Sequence, residues 1–300
     1  MRPVIKVALT SGRIQSAVAE LLEKAGLKLD FGSNGRILLP RVIGDDRFEF
    51  AVVRSKDAAR LLKEGAFDAA FLGQDMLAEV RALDAVQVLL DTERDRVNLV
   101  LAVRECDSFR VLRGLEGEPM SSLPIATKYT NLVADWLAER PTPFPATIVP
   151  VEGSVEVFAH ILEGGIVDVV SSGETLRTNG LVPVNTLRAS STVLAANRGR
   201  MSSDPERSKS LEDLVFALSG VIEGSKRQEL SVNVTRETEP AVVRILEAYA
   251  MRSVNRIPTA NGDSATLRIA VPIRDKFTVL RQVREAGATD PMIVDVQFLA

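Results

Sequence analysis

The sequence predicts an α/β protein built as two lobes followed by a smaller β-α-β-β-α-β domain, and three observations carry that prediction. Over the first two hundred residues, short β-branched apolar runs alternate with stretches whose apolar positions recur at helical spacing, the pattern of strand-helix units in parallel sheets. Gly114, Gly117 and Pro119 interrupt the alternation and suggest a boundary between lobes. After Gly224 the order of elements changes to strand, helix, two strands, helix, strand, which is the ferredoxin-like plait. The expected division is 1–103 with 187–225 as the first lobe, 104–186 as the second, and 226–300 as the plait.

The elements follow in order. Val4 to Leu9 reads as a buried strand, "SGR" as a turn, and Ile14 to Ala25 as an amphipathic helix. "FEFAVVR" (48–54) and "AAFLGQD" (69–75) are strands flanking the helical "SKDAARLLKEGAFD". "VNLVLAV" (97–103) is a further strand, closing the first lobe. "LPIATKYTNLVADWLAE" (123–139) begins a new strand-helix unit, and "ATIVPV" (146–151), a helix at 154–163, "IVDVV" (166–170) and "STVLAANR" (191–198) complete the pair of lobes. Residues 199–209 read as a solvated connection before a helix at 210–224. In the plait the strands are "ELSVNVT", "NRIPTA", "ATLRIAV" and "MIVDVQF", the middle two turning at Asn261-Gly262, and the helices are "EPAVVRILEAYA" and "IRDKFTVLRQVREAG".

Composition excludes several classes of function. The 300 residues are 46% apolar and 26% charged, with a net charge of -3, ordinary for a globular protein and without the basic excess that nucleic-acid binding requires. Any anionic ligand must be met by a local site. A single cysteine, Cys106, leaves no disulfide framework, and with a single histidine, His160, most zinc geometries go as well. No apolar run approaches the roughly 18 residues that a membrane span needs, and the N-terminal apolar run is too short for a signal sequence. A cytoplasmic protein with no membrane and no nucleic-acid partner is expected.

The most informative stretch is "IVDVVSSGETLRTNGL" (166–181). A buried strand ending near Asp168 and running into Ser171, Ser172, Gly173, Glu174 and Thr175 aims hydroxyls and successive backbone N–H groups at one point, which suits a phosphate. Asp168 accepts hydrogen bonds from ribose hydroxyls or leans on a metal ion; phosphate beside diol suggests a ribose 5-phosphate. The competing reading is a plain strand-to-helix turn. A second turn of similar make holds Gly153 and Ser154, with Glu156 in the first turn of a helix. In "TSGRI", Ser11 and Gly12 precede Arg13, which can reach an anion; Arg54 and Lys56 lie just past one strand end, and Gly73-Gln74-Asp75 ends another. Each alone is explained as a solvated loop, but five polar loops at strand ends fall where open α/β sheets bind ligands.

In their order, "VALTSGRI", "VVRSKDAARLLKEGAFDAAFLGQDML", "IATKYTNL", "VEGSVEV", "IVDVVSSGETLRTNGL" and "LSGVIEG" resemble the ATP phosphoribosyltransferase family in its long, homohexameric form, over essentially the whole chain. The resemblance implies a periplasmic-binding-protein-like pair of catalytic lobes. The activity it implies is transfer of phosphoribosyl from phosphoribosyl pyrophosphate to N1 of ATP with release of pyrophosphate, the first step of histidine biosynthesis, with Mg2+ required. It assigns Asp168 and Ser171, Ser172, Gly173, Glu174, Thr175 and Leu176 to the ribose 5-phosphate, with Gly153, Ser154 and Glu156 beside them. Ser11, Gly12, Arg13, Arg54, Lys56 and Asp75 would face the pyrophosphate, the metal and ATP from the other lobe. Arg54, Lys56, Asp75, Glu156 and Asp168 are the catalytic candidates. Metal ligands are not specified, magnesium being held mainly by substrate phosphates. The plait would be regulatory, with histidine as effector, in a homo-oligomer that is a dimer or a hexamer.

Two departures from the family pattern fall in the cleft. Thr10-Ser11 stands where members usually carry a lysine, and the segment before Asp168 is one residue short and lacks a second acidic residue, for which Glu163 is the candidate substitute. They keep one alternative in view, a paralogue on the same scaffold serving a specialised nucleoside pathway or sensing without catalysis, while the two-lobed layout itself offers another, a solute-binding or sensor protein. His160 reads as a packed or boundary residue, Cys106 as a bystander thiol, Trp136 as core, and the "RETE" and "DPER" clusters as solvated faces.

Overall fold

The computed structural model describes residues 4–33, 37–140, 144–249, 253–259 and 262–299. The chain divides into two compact units, the first ending at Glu212 and the second starting at Asp213.

In the first unit the elements run β1 (Ile5–Thr10), α1 (Arg13–Lys24), β2 (Lys28–Asp30), β3 (Arg41–Ile43), β4 (Phe48–Val53), α2 (Ser55–Lys63), β5 (Ala69–Gly73), α3 (Gln74–Glu79) and β6 (Val86–Asp91). They continue with β7 (Val97–Arg104), α4 (Ser108–Leu115), β8 (Leu123–Thr127), α5 (Thr130–Ala138), β9 (Ala146–Pro150), α6 (Glu156–Ile161), β10 (Gly165–Val170), α7 (Glu174–Thr178), β11 (Leu181–Ser190), β12 (Thr192–Asn197) and α8 (Arg198–Ser202). Helix α9 (Pro205–Gly224) runs past the boundary of the unit.

Two five-stranded sheets form the two lobes, in the orders β4-β1-β5-β12-β6 and β11-β7-β10-β8-β9. The apolar runs are strands buried on both faces: every residue of β5 is buried, as is every residue of β1 except Lys6. The helices lay a narrow apolar stripe on them, Val18, Leu21 and Leu22 from α1 and Ala58, Ala59 and Leu62 from α2, at the i, i+3, i+4 spacing of one helix face.

The sheets are mixed rather than parallel throughout. β12 runs antiparallel to both β5 and β6, and β7 antiparallel to both β10 and β11. This moves the lobe boundaries. The strand at 97–104, expected in the first lobe, lies inside the second sheet with Val100 opposite Asp168 and Thr186, so the chain crosses between lobes at 92–96 and again at Ser191. The two crossings are tied together: the Thr92 amide and hydroxyl both donate to Thr192 O, at 3.0 and 2.7 Å, and the Thr192 amide donates to Arg94 O. Strand β11, not expected from the sequence, carries two register shifts, at Pro183/Asn185 and Thr186/Arg188, which break the alternation that would have announced it.

The stretch 199–209 is not a solvated connection but mostly helix, in α8 and the start of α9. Nor is "DPER" only a solvated face, because Arg207 reaches back to Asp68, a carboxylate with 2% of its side chain exposed, at 2.7 Å. Arg200 and the Lys6 amide also donate to Asp68, supplying the partners that a buried charge requires. Trp136 is half-buried at the edge of the core, edge-on to Phe144 with the Arg140 guanidinium over it.

The second unit contains β13 (Arg227–Thr235), α10 (Glu239–Glu247), β14 (Asn255–Pro258), β15 (Ser264–Pro272), α11 (Lys276–Glu285) and β16 (Thr289–Asp295). Its sheet is antiparallel in the order β14-β15-β13-β16, the arrangement of a ferredoxin-like plait. Alternate residues Leu230, Val232 and Val234 of β13 join Val242 and Leu246 of α10 and Val279 and Val283 of α11 in one core. Of the expected turn at Asn261-Gly262, Gly262 is left-handed at φ 75 and Asn261 lies outside the described residues. Among the described residues no helix is long and apolar enough to cross a membrane.

Candidate active site between the two lobes

Strand ends from both lobes converge on a cleft of about 560 Å3 within the first unit. The first lobe contributes Thr10, Ser11 and Arg13 from the β1–α1 turn, Arg54 and Lys56 from the start of α2, and Asp75 from the start of α3; the second contributes Lys128, Tyr129, Glu152 and Gly153. A smaller hollow of about 90 Å3 holds Glu156, Asp168 and the loop 171–176, with Arg13 on its rim. The structure thus brings together residues far apart in the chain: Arg13 Nη1 donates to Ser171 Oγ, 158 positions on, at 3.2 Å across the opening.

The loop after β10 has its shape for local reasons. Gly173 is left-handed at φ 73, a backbone state that glycine adopts without penalty. The Glu174 amide donates to Ser172 Oγ, and Arg177 donates to Ser172 O. Leu176, expected among the substrate contacts, lines the hollow with only 4% of its surface exposed, and its side chain packs with Val155, Ala159 and Ile166, anchoring the loop from below. Asp168 accepts from the Val169 amide at 2.8 Å and lies 3.1 Å from Lys128 Nζ. Lys56 Nζ lies 3.2 Å from Glu152 Oε1, joining the lobes at an exposed position.

Asp75 is deep in the floor, 6% exposed. Tyr129 OH donates to its Oδ2 at 2.7 Å and Ser190 Oγ donates to its Oδ1 at 2.6 Å, while the Asp75 amide donates to Ser190 Oγ at 3.0 Å. Burial, and then the charge of Asp75, push the Tyr129 phenol well above its ordinary range, so it stays a donor. Gly73 is what admits this arrangement: a Cβ there would clash with Asp75 Oδ1. Two further floor hydroxyls, Thr10 Oγ1 and Thr192 Oγ1, are buried without a hydrogen-bond partner.

Some expected residues lie elsewhere. Ser154 and Gly12 are exposed and line neither hollow, although Gly12, at φ 88, turns the chain so that Arg13 enters the cleft. Glu163 does not stand in for the missing acidic residue. It sits in the turn before β10, left-handed at φ 48, and lines neither hollow. His160 is exposed and its Nε2 meets Asn179 O at 2.8 Å, a boundary contact away from the cleft. Sequence reasoning missed Lys128, Tyr129 and Ser190. The signal for the first two was their position directly after β8 in "IATKYTNL"; Ser190 carried no local signal.

No group of three or more His, Cys, Asp or Glu side chains that would hold a metal occurs among the described residues. Single carboxylates do face the cleft, Asp95 and Glu152 among them, and this donor set fits a magnesium ion held by one or two carboxylates plus substrate phosphates rather than by a protein cage.

A family model described as ATP phosphoribosyltransferase matches residues 54–220. The ATP phosphoribosyltransferase of Gemmatimonas aurantiaca is 34% identical over 303 residues, covering 99% of this chain and 99% of that protein. That of Methanosarcina acetivorans is 27% identical over 299 residues, covering 98% of this chain and 99% of its own. Among solved structures, a chain of the ATP phosphoribosyl transferase (HisG:HisZ) complex from Thermotoga maritima has a similar fold, with a TM-score of 0.57 at 24% identity over 72% of this chain and 99% of that one. The chain belongs to the ATP phosphoribosyltransferase family.

Proposed function

We propose that this protein transfers phosphoribosyl from phosphoribosyl pyrophosphate to N1 of ATP and releases pyrophosphate, the first step of histidine biosynthesis. The observation that carries the reading is the opposition of two polar surfaces across one cleft: the 171–175 loop with Asp168 on the second lobe, and Arg13, Arg54 and Lys56 on the first. The adenine nitrogen already holds its lone pair, so no strong base is needed. The demands are alignment of two polyanions and stabilisation of charge as the C1–oxygen bond breaks.

In this reading the loop's hydroxyls and backbone N–H groups hold the 5-phosphate, and Asp168 accepts from the ribose hydroxyls with Glu156 beside it. Arg13, Arg54 and Lys56 bind the departing pyrophosphate, and Lys128 adds a cation in a cleft where Thr10-Ser11 stands in place of the family's usual lysine. Binding exchanges the Lys56–Glu152 and Arg13–Ser171 contacts for phosphate oxygens. Thr10 and Thr192 supply hydroxyls to the bound substrates. Magnesium, when bound, neutralises part of the pyrophosphate charge. Histidine inhibition through the plait and assembly into dimers or hexamers complete the proposal.

The test is incubation with ATP, phosphoribosyl pyrophosphate, magnesium and pyrophosphatase, followed by near-ultraviolet absorbance of the N1-substituted adenine. A rise that needs both substrates is expected, with suppression by histidine. No rise from folded protein would overturn the reading in favour of a non-catalytic sensor on the same scaffold.

A further inference from the structure

We propose that Asp75 is a positioning residue, and that the buried Tyr129–Asp75–Ser190 cluster is the joint that sets the spacing of the two lobes for phosphoribosyl transfer; the proposal rests on the functional reading above. Both carboxylate oxygens of Asp75 are already committed, to Tyr129 OH at 2.7 Å and to Ser190 Oγ at 2.6 Å. The three residues come from three places: the start of α3 in the first lobe, the turn between β8 and α5 in the second, and the end of β11 where the chain crosses back between the lobes. The same short helix makes a second attachment. Glu79, 2% exposed, accepts from the Asn131 and Leu132 amides and from Thr130 Oγ1, while Asn131 Nδ2 donates to Glu79 O.

A buried carboxylate held by neutral donors is an expensive way to gain stability, since a well-packed apolar group of the same shape often serves as well. What directional bonds provide and apolar packing does not is a defined geometry. Here the geometry passes to the reacting region in one step. Lys128 directly precedes Tyr129, and its ammonium lies 3.1 Å from Asp168 and 5.2 Å from the centre of the Tyr129 ring. Fixing the phenol therefore fixes where the Lys128–Asp168 pair stands relative to Arg13, Arg54 and Lys56. Alignment between substrates held on opposite lobes is sensitive to displacements of about 1 Å, worth about 10²-fold in rate.

The experiment compares the full-length wild type with Tyr129→Phe, Ser190→Ala and Asp75→Asn. Thermal melting, the kcat and KM for both substrates, and amide hydrogen exchange of residues 128–132 and 168–176 are measured on each. Folded Tyr129→Phe and Ser190→Ala are expected to lose kcat by about 10- to 100-fold with each KM within about threefold. Asp75→Asn, which must turn an N–H toward one of two donors, is expected to lose at least as much. In Tyr129→Phe, exchange is expected to quicken in both segments, the second reached through Lys128 and Asp168. The proposal is overturned by kcat within about twofold of wild type, by a loss expressed in KM, by activity lost only in proportion to unfolded protein, or by faster exchange confined to 128–132. Absence of turnover in the wild type would count against phosphoribosyl transfer instead, and the exchange pattern would still decide the joint.

Discussion

The floor and the rim of the cleft use the same kinds of side chain in opposite ways. On the rim, Lys56 and Glu152 pair with side chains 54% and 77% exposed, and Arg13 meets Asp95 and Ser171 while itself 59% exposed. Such contacts contribute little and are readily exchanged for a ligand's oxygens. On the floor, Asp75, Tyr129 and Glu79 are buried, and the Asp75 carboxylate accepts short bonds from Tyr129 and Ser190. Breaking one leaves a charge or a donor without partner, costing about 1–3 kcal/mol or more. The difference teaches that, in one cleft, exposure separates contacts that a ligand can displace from contacts that hold the frame.

The largest effect expected from a single change on the floor is that of Gly73→Ala. The added methyl falls on Asp75 Oδ1, so the carboxylate must leave its two donors. Denaturant unfolding should show a loss of about 1–3 kcal/mol, typical of overpacking, and kcat should fall with it. Full stability in Gly73→Ala would mean that the Asp75 contacts are loose.

A pH titration sharpens the same contrast. The folded-state pKa of Tyr129 is raised above its unfolded value by burial and by Asp75. Its stabilising contribution is therefore complete below about pH 10 and is lost as pH rises beyond that, with a slope of at most about 1.4 kcal/mol per pH unit. Stability of wild type should fall more steeply above that pH than stability of Tyr129→Phe. Parallel curves would place the phenol in water.

Effects at the rim are smaller and appear in binding. Gly173→Ala puts a side chain at φ 73, costing about 1 kcal/mol in a left-handed residue, and should raise the KM for phosphoribosyl pyrophosphate by no more than about tenfold. Glu152→Ala should leave stability within about 0.5 kcal/mol, because its pair with Lys56 is exposed. A clear drop in melting temperature for Glu152→Ala would show that the rim also bears structural load.

What could be read from the sequence was whatever is local. The polar turn after β10 was legible because Asp168, Ser171, Ser172, Gly173 and Thr175 stand within eight residues on one strand and turn. The plait was legible because its strands alternate cleanly, as in the buried Leu230, Val232 and Val234. The floor was not, because Tyr129 and Ser190 meet Asp75 from 54 and 115 residues away, and nothing local to either reveals that partner. Strand β11 was hidden by its register shifts, and the boundary at 97–104 was misplaced because a buried strand looks alike in either sheet. Arg207 looked solvated because nothing near it in sequence reveals the buried Asp68.

The account rests on substrate being held by the rim and loop while the floor sets geometry. Calorimetric titration of phosphoribosyl pyrophosphate into wild type, Asp168→Ala and Tyr129→Phe tests this most directly. The account predicts affinity weaker by about 10- to 100-fold in Asp168→Ala, from lost charge-assisted hydrogen bonds, and affinity in Tyr129→Phe within about twofold of wild type. Equal losses in both variants, or unchanged binding in Asp168→Ala, would contradict it.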